Sequence, residues 1–452
     1  MAPVRIIDSS YVAAPPPADA PPPEPIKLNA MEAQWVGVPP LHHLLIFGGD
    51  GETHLPPFDA VLRSLKSSLA ATLQATHAPL AGRLHYLTDT GDVAILRSAD
   101  DAGVRFIAAE CDAADVRRLA GDKEQDAHTF ERLVPALDTS VLPHPVLAVQ
   151  ATRLGGGGVA LGVTLHHGVA DGRALWGFVE AWAAACRGDA PPTPPVFDRA
   201  RVSMPGGDEL ARRVLRDYTP NLPVASLPPS VAMEDRARFC RRTFTLDAQH
   251  VQRIKARISE LGDAHGAPLR RPPSTFVAVV ALAWTCFVRC RPFPADEDVF
   301  LAFIADVRDR LDPPAGGDYF GTCITICLAR LPARELRAER ALAAAAAAVQ
   351  GAVREMVADP LGSYPGWEFL RIFGEVPMDR LMNVSGSPGF RVYEIADFGW
   401  GRPTRTENVG MNRDGQVALV RARDGGGVQV SLSMLQTDHM DAFKADFLGL
   451  LG

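Results

Sequence analysis

A histidine pair, two glycines and an acid stand together in His166-His167-Gly168-Val169-Ala170-Asp171-Gly172. An imidazole titrates near neutral pH and can take the proton from an attacking hydroxyl, a contribution of roughly 10²–10⁴-fold when the base is well placed. His167 suits that task. Asp171, four residues on, has two readings. It is a charge partner of the base, as in hydrolase triads, or a structural acid that caps the next helix or pairs with an arginine. Its place at the start of a helical pattern favours the structural role. His166 falls on the opposite side of the strand end, because side chains alternate there, and reads as a packing residue. His42 and His43 have no acid or cysteine at useful spacing and read as ordinary. Taken alone, H-x-x-x-D is a weak signal.

Other patterns narrow the chemistry. Cys286 and Cys290, and Cys323 and Cys327, have three residues between them, but they lie in apolar segments and read as core thiols, so no metal is expected. No G-x-S-x-G run supports a serine hydrolase. Gly155-Gly-Gly-Gly158 lacks both phosphate-loop spacings and reads as a turn. Ser385 and Ser387 offer hydroxyl donors for an oxyanion, or a Ser-Gly-Ser-Pro turn with no catalytic part.

A second run, Asp397-Phe398-Gly399-Trp400-Gly401, lies 226 residues after Asp171 (397 − 171). The pair, in this order, resembles the plant BAHD acyltransferases, which move acyl groups from coenzyme A to alcohols or amines. The resemblance covers nearly the whole chain. Leu28-Asn-Ala-Met-Glu-Ala-Gln-Trp35 with Pro39-Pro40 is similar to the family's opening segment, and Pro79-Leu-Ala-Gly-Arg83 to the run after its early helix. Asp306-Val-Arg-Asp-Arg-Leu-Asp-Pro-Pro314 and Tyr319-Phe-Gly-Thr-Cys323 match two later motifs. Val384-Ser-Gly-Ser-Pro388 is similar to the anthocyanin and flavonoid glucoside malonyltransferase branch, although Thr322 stands where that branch usually has Asn.

The resemblance implies a fold and a set of roles. The fold is α/β: two similar-sized domains with mixed sheets covered by helices, like chloramphenicol acetyltransferase, and a channel at their interface. His167 is the catalytic base in the channel, with no acyl-enzyme. Asp171 points away from it and holds Arg308. Ser385 and Ser387 lie near the active centre. The DFGWG run is remote and structural: glycines for tight turns, Trp400 for packing, Asp397 for a buried ion pair. Lys255, Arg257, Ser274 and Thr275 fall where the family binds the nucleotide, the last two opening a helix whose amino terminus attracts phosphate. Trp35, Arg173 and Arg391 are candidates for the acyl and acceptor pocket; a malonyl tail calls for such a cation. Acyl-coenzyme A, most simply malonyl-coenzyme A, enters as co-substrate, with no permanently bound cofactor. The acceptor is a flavonoid or phenolic glucoside. The alternatives are a hydroxycinnamoyl donor, an amine acceptor, or a noncatalytic binding relative.

The surrounding chain fits this class. It has 452 residues, more than one ordinary core. Hydrophobic residues make up 47% and charged residues 22%, and the net charge of −7 with no Lys/Arg block excludes a generic nucleic-acid binder. Seven cysteines, sparse and odd in number, point to a reduced cytoplasmic chain, expected as a monomer. No segment reaches the roughly 18 apolar residues of a membrane span; residues 276–288 and 341–349 are too short. Residues 13–25 are proline-rich and read as a disordered lead-in. Periodicity predicts helices over 58–76, 173–182, 247–261, 275–288, 336–357 and 438–451. It predicts strands over 146–153, 159–165, 239–246, 299–305, 323–328 and 428–435. Proline and charge concentrate over 187–230, the expected linker between a domain of residues 1–186 and one of residues 231–452.

Overall fold

The computed structural model describes residues 3–13, 23–51, 55–98, 101–121, 127–190, 192–227, 238–362, 368–411 and 413–451. Most of the proline-rich lead-in, residues 14–22, and the end of the expected linker, residues 228–230, lie outside the described residues.

Two six-stranded mixed sheets form the frame. The first runs Arg5–Val12, Val104–Asp115, Leu147–Gly155, Val159–Leu165, Leu41–Phe47, Arg405–Asn408. The second runs Cys240–Leu246, Val428–Met434, Gln416–Arg421, Leu381–Gly386, Asp298–Asp306, Ile324–Pro332. A small four-stranded sheet adjoins the first. Every residue of Val159–Leu165 is buried, which explains why this central strand is apolar without alternation. It pairs antiparallel with Leu147–Gly155 through the four-glycine turn. The chain then crosses His166–Ala170 and enters the helix Gly172–Arg187, whose buried face carries Leu175, Phe178, Val179 and Trp182. This strand–turn–helix unit fixes where His167 stands.

Two elements differ from expectation. The helix predicted over 336–357 is two helices, Ala333–Arg337 and Ala341–Ala358. Ala338 is extended, with φ −67° and ψ 166°, and breaks the run despite its helical composition. The second of these has 18 residues and a mean hydropathy of 1.3, so it reaches the length and apolarity of a membrane span, contrary to the sequence expectation. Alanine supplies both properties. The helix packs on Thr275–Arg289 and on the Ile324–Pro332 strand, as a core helix does.

The expected division at 187–230 gave the first sheet no strand from the second half. Arg405–Asn408 nonetheless completes that sheet, antiparallel to Leu41–Phe47. Its sequence, Arg-Thr-Glu-Asn, carries no strand signal, because its partners are polar and buried. Arg405 Nε lies 2.6 Å from Glu407 Oε1, and Glu407 also accepts from the Thr243 and Ser431 hydroxyls at 3.0 and 3.1 Å. The segment 187–230 itself contains the helix Gly207–Tyr218, which packs by Ala211, Val214 and Leu215.

Candidate active site

A cavity of about 870 Å³ lies between the two large sheets. His167 lines it at the end of Val159–Leu165. The indole of Trp35 stacks on the His167 ring, with centroids 4.0 Å apart and planes 15° from parallel. Phe369 stacks on Trp35 in turn, at 5.0 Å and 20°. Below, the Thr322 hydroxyl donates to the His167 carbonyl at 2.6 Å. His167 Nδ1 is buried with no hydrogen-bond partner, which leaves Nε2 as the nitrogen able to meet a substrate. Burial lowers the His167 pKa to about 4, against the pull of the Asp171 charge, so the ring is neutral and able to accept a proton at neutral pH.

Asp171 gives its oxygens elsewhere. Oδ1 accepts from Ala174 N at 3.1 Å and caps the Gly172–Arg187 helix. Oδ2 accepts from Arg308 Nη1 at 2.8 Å and from Cys323 N at 3.1 Å. Arg308 is fully buried and also donates to Gly321 O, Tyr319 O and Asp306 Oδ1. A second buried carboxylate adjoins this group. Glu32 accepts from the Tyr319 hydroxyl at 2.9 Å and from Thr322 N at 3.3 Å, and its Oε2 lies 3.1 Å from Arg199 Nε. Burial pushes the Glu32 carboxyl up while the Arg199 charge pulls it down. Gly321 is required here: a Cβ at that position would sit 2.3 Å from Glu32 Oε1. The opening segment, the H-x-x-x-D run and the two later motifs thus meet in one buried polar cluster beneath His167.

The structure brings Ser385 and Ser387 to the same cavity as His167. The Ser385 hydroxyl donates to Val417 O at 3.3 Å, while Ser387 Oγ accepts from Gly389 N at 3.0 Å and keeps its own proton free. Trp35, Arg173 and Arg391 line it too. Arg173 is already paired with Asp306 at 2.9 Å and faces Asp309 at 3.8 Å; Arg391 lies 3.6 Å from Glu394. Lys255, Arg257, Ser274 and Thr275 stand off the cavity wall. Ser274 caps its helix by accepting from Val277 N at 3.2 Å, and Arg257 lies 3.7 Å from Glu260. Phe276, one residue into the same helix, does line the cavity.

The DFGWG run does not line the cavity that His167 faces. Gly399 and Gly401 have φ of +100° and +99°, and Trp400 stacks on Phe398 at 5.7 Å. The expected buried ion pair of Asp397 is corrected. Its Oδ1 accepts from Gly399 N at 2.8 Å and Gly401 N at 3.1 Å, holding its own turn, and Arg187 donates to its main-chain oxygen. A short acid beside two glycines finds those N–H groups, and the nearby Arg187 is taken up by the Asp397 main-chain oxygen instead.

Sequence reasoning passed over three residues. His43 lines the cavity, meets Trp176 edge-on at 4.8 Å, and has its pKa lowered to about 4 by burial. Phe369 completes the stack on Trp35, and Asn383 turns into the cavity beside Ser385. Only for His43 was there a signal: it alternates with two buried positions on a strand.

A neutral imidazole facing a cavity between two mixed sheets can take a proton from a hydroxyl bound there. Residues 38–449 match the Transferase family. A malonyl-CoA:anthocyanidin 5-O-glucoside-6''-O-malonyltransferase of Arabidopsis thaliana is 30% identical over 436 residues, spanning 93% of each chain. An agmatine coumaroyltransferase of the same plant is 28% identical over 443 residues, spanning 94% of this chain and 95% of its own. The fold is similar to that of vinorine synthase, with a TM-score of 0.71 and 20% identity over 99% of this chain and 98% of the other. The chain belongs to this Transferase family, the BAHD acyltransferases.

Proposed function

We propose that this chain moves an acyl group, malonyl first among candidates, from coenzyme A to a hydroxyl of a flavonoid or phenolic glucoside, acting as a cytoplasmic monomer. His167 Nε2 takes the acceptor's proton as its oxygen attacks the thioester carbonyl. Ser387, with a free hydroxyl proton, steadies the oxyanion, a contribution of roughly 10²–10³, while Ser385, whose proton goes to Val417 O, holds the strand beside it. The carbon–sulfur bond then breaks, and the proton passes from His167 to the departing thiolate. Asp171 and Arg308 hold the loop that carries the base. The amino end of the Thr275–Arg289 helix, with Ser274 and Thr275, and Lys255 on the neighbouring helix Ala248–Ala264, receives the nucleotide. The single observation that carries this reading is the neutral His167 ring turned into the cavity with Nδ1 enclosed. The malonyltransferase relative supports the donor and the acceptor class.

A second reading of the donor rests on the pairing of Arg173 with Asp306 and Arg391 with Glu394. A malonate carboxylate would meet compensated cations, whereas an aromatic acyl group would meet Trp176, Phe276, Phe303 and Phe390 on the cavity wall. A panel of acyl-coenzyme A thioesters against one phenolic glucoside, read by product mass, decides between them. Malonyl transfer at tenfold or more over coumaroyl transfer supports the first reading; the reverse order supports the second.

A further inference from the structure

Asn383 lies within the Leu381–Gly386 strand and shares the cavity-facing side with Ser385, two residues on. Its main-chain N–H donates to Gly415 O at 3.1 Å. Its Oδ1 is buried and has no hydrogen-bond partner. A buried amide oxygen without a donor is destabilising, so its presence in a cavity wall points to a group that arrives with a ligand. Other polar side chains on this sheet face are already engaged. Gln429 donates to Thr406 O at 2.8 Å and accepts from the Tyr393 hydroxyl. Ser431 donates to Glu407 Oε2 at 3.1 Å, and Ser385 donates to Val417 O.

The strand register places Asn383 along the cavity wall. It runs parallel to Asp298–Asp306, with Asn383 level with Ala302 and Val384 level with Phe303. Gly386 and Ser387 therefore lie toward Asp306 and its partner Arg173. Phe276, at the start of the proposed nucleotide helix, packs on Phe303 at 5.3 Å, one residue along from the level of Asn383. Asn383 stands toward the other end, level with Gln416 of the neighbouring parallel strand, which also lines the cavity. Asn383 and Ser387 thus face the same cavity four residues apart along the chain, with Phe276 reaching the wall between them.

We propose that Asn383 recognises the glycosyl part of the acceptor. Its carboxamide offers an acceptor and a donor side by side. Adjacent hydroxyls of a sugar ring match that pair, one donating to Oδ1 and the next accepting from the amide N–H. An uncharged amide suits a neutral polyol. The inference rests on the glucoside reading above and adds the residue that selects the sugar.

The test compares a phenolic glucoside with its mono-deoxy analogues, using whichever acyl-coenzyme A the enzyme prefers. The wild type should favour the glucoside at least tenfold in kcat/KM over two analogues lacking neighbouring hydroxyls. In Asn383→Leu that ratio should fall to about one, through a higher KM for the glucoside, with the KM for acyl-coenzyme A unchanged. Asn383→Asp keeps an acceptor oxygen but no donor and should show an intermediate ratio; it carries the comparison if the leucine variant does not fold. A wild-type ratio in both variants, or a rise in the acyl-coenzyme A KM instead, overturns the proposal. If the wild type acylates no glucoside, the acceptor reading fails and takes this inference with it. If it acylates all of them and the variants keep its preferences, only the role of Asn383 fails.

Discussion

Asp171 Oδ2 lies 2.8 Å from Arg308 Nη1, with both side chains buried, and the contact ties the loop that carries His167 to the end of the Asp298–Asp306 strand of the second sheet. Removing one partner strands the other charge in the interior, which typically costs about 3–5 kcal/mol. Asp171→Asn and Arg308→Leu should each lose stability on this scale, and the double variant should lose clearly less than their sum. Denaturant unfolding of the four proteins checks this. Independent effects would break the pairing.

Thr322 stands where the malonyltransferase branch usually has Asn, and it holds the His167 carbonyl by its hydroxyl. Thr322→Val should lower kcat about tenfold by loosening the base, because small misplacements are costly in rate. The KM for acyl-coenzyme A should stay unchanged, and Thr322→Ser should restore most of the rate. Steady-state kinetics on the three proteins decide; a valine variant with full kcat removes the role.

Burial holds His43, His77 and His167 at pKa values of about 4. In the unfolded chain they titrate near 6.5, so between about pH 6.5 and 4 the unfolded state binds more protons. Their contribution is complete above pH 6.5 and is lost as pH falls toward 4, at most about 1.4 kcal/mol per pH unit for each ring. Urea unfolding at pH 7.5, 6 and 5 should show falling stability. A flat profile contradicts the neutral, buried state of these rings.

Gly401 has a φ of +99° and Asp397 spans its turn. Gly401→Ala should destabilise by about 1–2 kcal/mol, the cost of a side chain in left-handed backbone. The KM values of both substrates should be unchanged, since the turn is remote from the cavity. Melting curves with matched kinetics test this; an altered acyl-coenzyme A KM would move the DFGWG run into the binding site.

The sequence carried what depends on local pattern. The apolar run before His167 and the acid at the head of the following helix are both visible as period and spacing, so the strand–turn–helix setting of His167 could be read. The likeness of four motifs to one family located Arg308 as the partner of Asp171. What could not be read depends on long-range packing. Trp35 and Phe369 come from opposite ends of the chain. Arg405–Asn408 looks like a polar loop, because its strand is held by Glu407, Thr243 and Ser431 rather than by apolar faces. Asn383 has no pattern at all; only the missing partner of its Oδ1 marks it.

The central claim is that His167 is the base, and the most direct measurement is single-turnover acyl transfer by His167→Ala beside acyl-coenzyme A binding by calorimetry. Turnover should fall by at least 10²-fold, while the dissociation constant for acyl-coenzyme A changes less than threefold, because the base acts in the transition state. Near-normal turnover with intact folding would contradict the account.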